Sequence, residues 1–170
     1  MLLTSTGVKN GIMDPKYGRL GGNNVNNIPQ LSIPLEWSDV PAGTQSLAII
    51  FIDYDNYEEE GISWLHWSVA NIPPQIRELT EGCSPNIGEI DPAIIQGKNS
   101  WTAELPKDAP ECSRYGGPAP VKMSHEYEFR LYALDTVLDL QDGYYHNHFR
   151  KAVQGHVLEE AVMLARYIIV

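Results

Sequence analysis

Two periods of hydrophobic and polar positions run along this chain. Ser46-Leu47-Ala48-Ile49-Ile50-Phe51-Ile52-Asp53 is an unbroken apolar run that stops on a carboxylate. That is the pattern of a central strand covered on both faces. Residues 64–71 alternate, with Leu65, Trp67 and Val69 on one face and Trp64, His66, Ser68 and Ala70 on the other. Residues 125–135 alternate more sharply. His125, Tyr127, Phe129, Leu131 and Ala133 share one face, and Glu126, Glu128 and Arg130 take the other. Shorter strands are predicted over residues 2–6, 30–35 and 167–170. The period changes to that of a helix over residues 144–165, where Phe149, Ala152, Val153, His156, Val157, Ala161 and Leu164 recur and Glu159 and Glu160 turn outward. Gly155 inside such a helix costs about 1 kcal/mol relative to alanine. Many strands followed by one late helix predict a mainly β fold, a two-sheet β-sandwich with a peripheral C-terminal α-helix.

Composition narrows the function. A chain of 170 residues fits one domain, 1–170, and its 43% hydrophobic content supplies a core. The 14 Gly and 12 Pro are spread along the chain, as many short elements joined by specific turns require. The net charge of −10 argues against nucleic acid as a partner and against electrostatic membrane binding. It leaves room for one small anion in a local pocket. No signal-like start and no apolar span of about 18 residues is present, so a cytoplasmic protein without membrane insertion is expected. Cys83 and Cys112 are then expected to be free thiols.

Polar chemistry gathers at the ends and inner faces of the strands. Asp53-Tyr54-Asp55 ends the buried run, where an aspartate serves either a turn or a site. His66 lies between two tryptophans, and His125-x-Tyr127 faces the apolar side of its strand. Each histidine alone reads as a core residue satisfied by a carbonyl. Together, His66, His125 and Tyr127 need partners, which they can find in one another or in a ligand. Tyr115-Gly116-Gly117-Pro118-Ala119-Pro120 lies just upstream, and paired glycines there can expose amides to an anion. The run Glu58-Glu59-Glu60 reads as a solvated loop.

The ordered set Asp53-x-Asp55, Trp64-x-His66-Trp67, Asn71-Ile72-Pro73, Gly116-Gly117-Pro118 and His125-x-Tyr127 followed by Leu131-Tyr132-Ala133-Leu134-Asp135 resembles the phosphatidylethanolamine-binding protein family, in its bacterial and archaeal, Raf kinase inhibitor-like branch. Pro41 to Ser46 and Gln96-Gly97-Lys98-Asn99 extend the resemblance over roughly residues 25–170. It implies a β-sandwich with a small anion pocket at one end of the central sheet. Carried over by position, the pocket residues are Asp53, His66, Gly117, Pro118, His125 and Tyr127, with Trp64 at the mouth and Asp55 beside them, and Gly116 joins them as a ligand-binding residue of the glycine loop. It also implies phosphate or small-anion binding, and inhibition of a kinase or protease as the form a protein partnership takes. Where the family usually has Asp-Pro-Asp-Ala-Pro, this chain has Asp53-Tyr54-Asp55-Asn56-Tyr57, a less stiff and more aromatic rim. Ala119 also departs, standing where the family commonly has Pro or Cys.

Two functions follow as alternatives. The first is a module that binds a small anion or phosphorylated ligand through imidazole, hydroxyl and loop-amide donors, without a cofactor and without catalysis. The second is an acid–base hydrolase or lyase using Asp53, His66 and His125. The second lacks a nucleophile, since Ser63, Ser68 and Ser124 sit in no Gly-x-Ser-x-Gly elbow. No metal motif is present, His148 and His156 sharing a helix face at most. A homodimer stays open. The geometric expectation is that His66 and His125 face one cavity, with Asp53 in reach of one of them and the Gly116 and Gly117 amides at the rim.

Overall fold

The computed structural model describes residues 1–169. The N-terminal third carries β1 (Leu2–Thr4), β2 (Val8–Lys9), β3 (Ile12–Met13), β4 (Asn24–Val25), β5 (Ile28–Pro29) and β6 (Leu35–Ser38). The central strands β7 (Ser46–Asp53) and β8 (Trp64–Ile72) follow, joined through the short helix α1 (Asn56–Glu60). β9 (Glu78–Leu79) and β10 (Ile95–Gln96) punctuate a long stretch of turns before β11 (His125–Leu134), α2 (His146–Ala152) and β12 (Val157–Tyr167).

The fold is mainly β. A seven-stranded sheet has the order β10-β8-β7-β11-β12-β3-β2, a three-stranded sheet the order β1-β6-β9, and β4 and β5 form a separate pair. All pairings are antiparallel except β12 with β3. One core cluster joins the sheets, with Leu3, Leu35, Trp37 and Leu79 from the small sheet meeting Ile49, Phe51, Trp67 and Phe129 from the large one. A second cluster on the opposite face packs Ile50, Ile52 and Leu65 under Tyr144 and Phe149. Every residue of β7 is therefore buried, as its unbroken apolar run predicts.

β8 departs from strict alternation. Phe51 pairs with Trp67, yet the next residue, Ile52, pairs with Leu65, so His66 is the extra residue of a β-bulge. Leu65 consequently turns to the second cluster while Trp67 stays in the first. Simple alternation would place those two on one face, and the bulge separates them.

The long helix over residues 144–165 is not formed. The helix is seven residues of α2, and it precedes the last strand rather than ending the chain. Gly155, at φ +82°, turns the backbone, and β12 then pairs with β11 from Tyr167↔His125 to Val157↔Leu134. Within β12, Ala161, Ala165 and Tyr167 are buried while Val162 and Leu164 lie exposed, a period of two. Ala161 and Ala165, four residues apart, fit either period locally. Long-range pairing with β11 satisfies the whole backbone ladder, and it wins. The other short strands also shift: β1 stops at Thr4, pairing begins only at Leu35 in the 30–35 region, and β12 ends at Tyr167. Of the expected 167–170 strand, Val170 lies outside the described residues.

No helix among the described residues is long and apolar enough to cross a membrane. Cys83 and Cys112 are free, as expected. Burial pushes both thiols up, and Cys112 is fully covered, with its Sγ 3.5 Å from the Pro106 carbonyl. In the native protein a thiol reagent should modify the half-buried Cys83 first and Cys112 slowly. After denaturation without reductant both should react. A native mass two hydrogens short would show a disulfide instead.

Candidate functional site

Three neighbouring strands bring the site together. Asp53 ends β7 and stands directly opposite Tyr127 of β11. His125 opens β11 two residues earlier and so points the same way. The bulge turns His66 toward the same point, its ring 4.9 Å from Phe51 and 5.3 Å from Tyr127. Asp53, His66, His125 and Tyr127 are all buried.

Hydrogen bonds settle the roles of the ring nitrogens. His66 Nδ1 donates to the Gly116 carbonyl at 2.6 Å, leaving Nε2 at 4.0 Å from Asp53 Oδ2. His125 Nδ1 donates to Asp53 Oδ2 at 2.7 Å. Asp53 Oδ1 accepts from the Asn56 amide at 3.1 Å and so anchors α1 to the end of β7. The Nε2 atoms of both histidines are buried without a hydrogen-bond partner. So are the indole nitrogens of Trp64 and Trp101.

All four of these residues, with Asp53 and Tyr127, line one cavity of about 220 Å³. The expectation of two imidazoles facing one cavity, with Asp53 in reach of one, is met. The Gly116-Gly117 loop plays a different part from the one expected. The Gly116 amide donates to the His66 carbonyl at 3.0 Å and the Gly117 amide to the Pro29 carbonyl at 2.8 Å, so neither is free for an anion. Their glycines answer to packing. A Cβ would lie 2.4 Å from Trp101 Nε1 at position 116 and 2.0 Å from the Tyr17 carbonyl oxygen at position 117. Pro118 is also structural, its carbonyl accepting from the Arg19 amide at 2.8 Å. Asp55 does not line the cavity; its Oδ2 accepts from the Glu126 amide at 2.8 Å and pins the entry of β11.

Sequence reasoning missed Glu59. The Glu58-Glu59-Glu60 run is helical, with Glu58 and Glu59 favourably placed in the first turn, and Glu59 turns inward rather than into solvent. Its Oε1 accepts from the amides of Lys122 and Met123 at 3.0 and 3.1 Å and lies 3.4 Å from His125 Nε2. Only the helical turn of α1 selects one glutamate of three, so no local signal marks it. Trp101, whose ring meets Trp64 edge-on at 5.2 Å, was also missed, since it comes from a turn far along the chain.

The cavity's electrostatics balance carboxylates against imidazoles. Asp53, Glu59, Glu60 and Glu104 line it, and among the described residues no Lys or Arg does. Burial works to raise the Asp53 carboxyl, but the imidazoles of His66 and His125 outweigh it and hold the group below its usual range. Burial opposes Glu59 in the same way, and the Lys122 and Met123 amides with His125 bring it down. Burial, reinforced by the Asp53 charge, drives the Tyr127 phenol upward and keeps it a neutral donor. Elsewhere, Tyr54 and Tyr57 are exposed and line a separate groove beside Ile50 and Ile52. His156 Nδ1 pairs with Asp135 at 2.8 Å and shares no helix with His148. No group of three or more His, Cys, Asp or Glu placed to hold a metal ion occurs among the described residues.

Comparison with known proteins shows the family and the fold. A sequence model of the phosphatidylethanolamine-binding protein family matches residues 4–168. The chain is 39% identical over 149 residues to the uncharacterized protein YxkA of Bacillus subtilis, covering 86% of this chain and 83% of that one. It is 40% identical over 138 residues to a UPF0098 protein of Methanothermobacter thermautotrophicus, covering 81% and 82%. Among solved structures, a putative phosphatidylethanolamine-binding protein homologue from Chlamydia trachomatis, CT736, superposes with a TM-score of 0.79 at 30% identity, over 99% of this chain and 97% of that one. Escherichia coli YbcL has the same TM-score at 24% identity over 99% and 98%, and shares the fold.

Proposed function

The chain belongs to the phosphatidylethanolamine-binding protein family, and we propose that its buried His66–Asp53–His125 cavity binds a small anion or a phosphoryl group carried by a metabolite, a lipid head group or a partner protein. One observation carries this reading: nitrogens of Trp64, His66 and His125, all lining the cavity, are buried without partners. A buried polar group left unmet costs about 1–3 kcal/mol, and an oxyanion would relieve several at once. The Trp64 indole is a fixed donor. The two Nε2 atoms become donors on protonation, because each Nδ1–H is already committed. Asp53 steadies the His125 imidazolium, and 220 Å³ suits a phosphoryl group with a short substituent. The phosphorylated side chain of a kinase or protease presents the same group, so a regulatory partnership uses the same chemistry.

Binding is favoured over acid–base hydrolysis because the candidate hydroxyls are elsewhere. Ser68 is bonded to Tyr144, Ser124 accepts from the Ile169 amide, and Ser63 lines the separate groove. The core cluster shared by the two sheets supports a sandwich as the finer description of the fold. Free Cys83 and Cys112 suit the cytoplasm.

The test is a titration with inorganic phosphate followed by the Trp64 indole and His125 ring resonances. Phosphate should move both sets of resonances, His125→Ala should weaken its binding about tenfold by removing a donor to a charged acceptor, and a phosphate monoester should remain uncleaved. Turnover that disappears in the His125 or Asp53 variant would establish the hydrolase instead.

A further inference from the structure

The Glu59 carboxylate already has the surroundings of a bound oxyanion. One oxygen accepts from two backbone amides, those of Lys122 and Met123, and faces the otherwise unpartnered Nε2 of His125 at 3.4 Å. Resting on the anion-site reading above, we propose that Glu59 is the cavity's tethered occupant and its specificity-determining residue. An incoming anion displaces it, takes over the Lys122 and Met123 amides and His125 Nε2, and must be a doubly charged phosphoryl oxyanion rather than a carboxylate.

The tether is short and lightly packed. Glu59 sits on a five-residue helix that is held at one end by the Asn56 amide on Asp53 and stops at Gly61. Tyr57 on the same helix is 59% exposed. A group held this way competes at an effective concentration in the millimolar range or above. A free carboxylate offers the same chemistry as Glu59 and must also meet the entropy cost of association, so it loses. A phosphoryl dianion brings a second charge and further oxygens, which can reach the unpartnered nitrogens of His66 and Trp64. Displacing Glu59 also removes one of the carboxylates that share the cavity wall with Glu60 and Glu104. Within this arrangement the amides that an incoming anion takes over from Glu59 are those of Lys122 and Met123, since those of Gly116 and Gly117 are spent on backbone carbonyls.

Inorganic phosphate and acetate are titrated separately into the unaltered protein, Glu59→Ala and Glu59→Gln at one pH, with amide spectra confirming the fold of each. Glu59→Ala should bind phosphate at least about tenfold more tightly and acquire millimolar acetate binding that the unaltered protein lacks. Glu59→Gln should fall between, and carries the comparison if the alanine protein is perturbed. Phosphate bound equally well, or less well, once the carboxylate is gone would overturn the role of Glu59 while leaving the anion site standing. Phosphate bound by none of the three would overturn the anion site itself, and the inference with it.

Discussion

Alanine in place of Phe51 is expected to cost the fold about 3–5 kcal/mol, the range for removing a fully buried phenyl ring from a core. Phe51 is 0% exposed and stacks on Phe129 with ring centroids 4.0 Å apart and planes 7° from parallel. Its ring also meets His66 at 4.9 Å, and Tyr115 and Tyr127 at 5.6 Å each. It is therefore both the centre of the main core and the floor beneath the cavity. Its register partners on either side, Trp67 and Phe129, come from β8 and β11, so no single loop can close over the void. At roughly 2–4 °C per kcal/mol for a chain of this size, the melting temperature should drop by about 6–20 °C. Phe51→Leu, which keeps most of the volume, should lose no more than about 1.5 kcal/mol. Thermal melts of the three proteins decide the matter. In Phe51→Ala, phosphate affinity should also fall at temperatures where the chain is still folded, because His66 loses the ring it packs on. A loss below about 1 kcal/mol would show that the aromatic cluster is not the fold's keystone.

Asp53→Ala should be comparably severe, about 3–5 kcal/mol, for an electrostatic reason. It strands two buried donors, His125 Nδ1–H and the Asn56 amide, and frees the start of α1. Asp53→Asn retains one acceptor and should cost less. Acid titration separates the charge from the packing. Asp53 is held below its ordinary pKa in the folded chain, so the unfolded chain binds its proton more readily. The resulting stability is fully present above the ordinary carboxylate value of about 3.9 and is lost as pH falls through the depressed folded value. Urea unfolding across that window should show the unaltered protein losing stability more steeply than Asp53→Asn. Equal slopes would mean that the Asp53 carboxylate titrates alike in both states, against the pairing with His125 and His66. Glu81, held by Lys16 and Tyr17 away from the cavity, contributes equally to both proteins and cancels in the comparison.

Much of the site was legible because strand geometry is periodic. A carboxylate ending a fully apolar run, and His125 and Tyr127 two residues apart on an alternating strand, place three polar groups near one sheet face before any tertiary contact is known. His66 was legible as an inner-face polar residue but for an incomplete reason. Strict alternation sets it opposite Trp67, and only the bulge against Phe51 and Ile52 brings both to the main core side. Such a bulge depends on how two strands pair and leaves no trace in the period of either. The glycine loop was legible as a place of close backbone approach. What approaches is the chain itself, through Trp101, Tyr17 and Pro29, rather than a ligand.

The amino-acid sequence by itself determined the mainly β character, the doubly buried β7, the sharp alternation of β11 and the residues Asp53, His66, His125 and Tyr127. These follow from side-chain period and from the cost of burying polar groups unpaired. Tertiary structure decided everything that hangs on one segment finding a distant one. Residues 157–167 hold apolar side chains that suit a helix as well as a strand, and the open edge of β11 made them a strand. Three consecutive glutamates are equivalent as a charge run, and the one turn of helix after Asp55 sends Glu59 alone to His125 and the amides of Lys122 and Met123. Local propensities differ by tenths of a kcal/mol per residue, whereas a paired strand or a buried charge is worth several, so the long-range contact prevails wherever the two disagree.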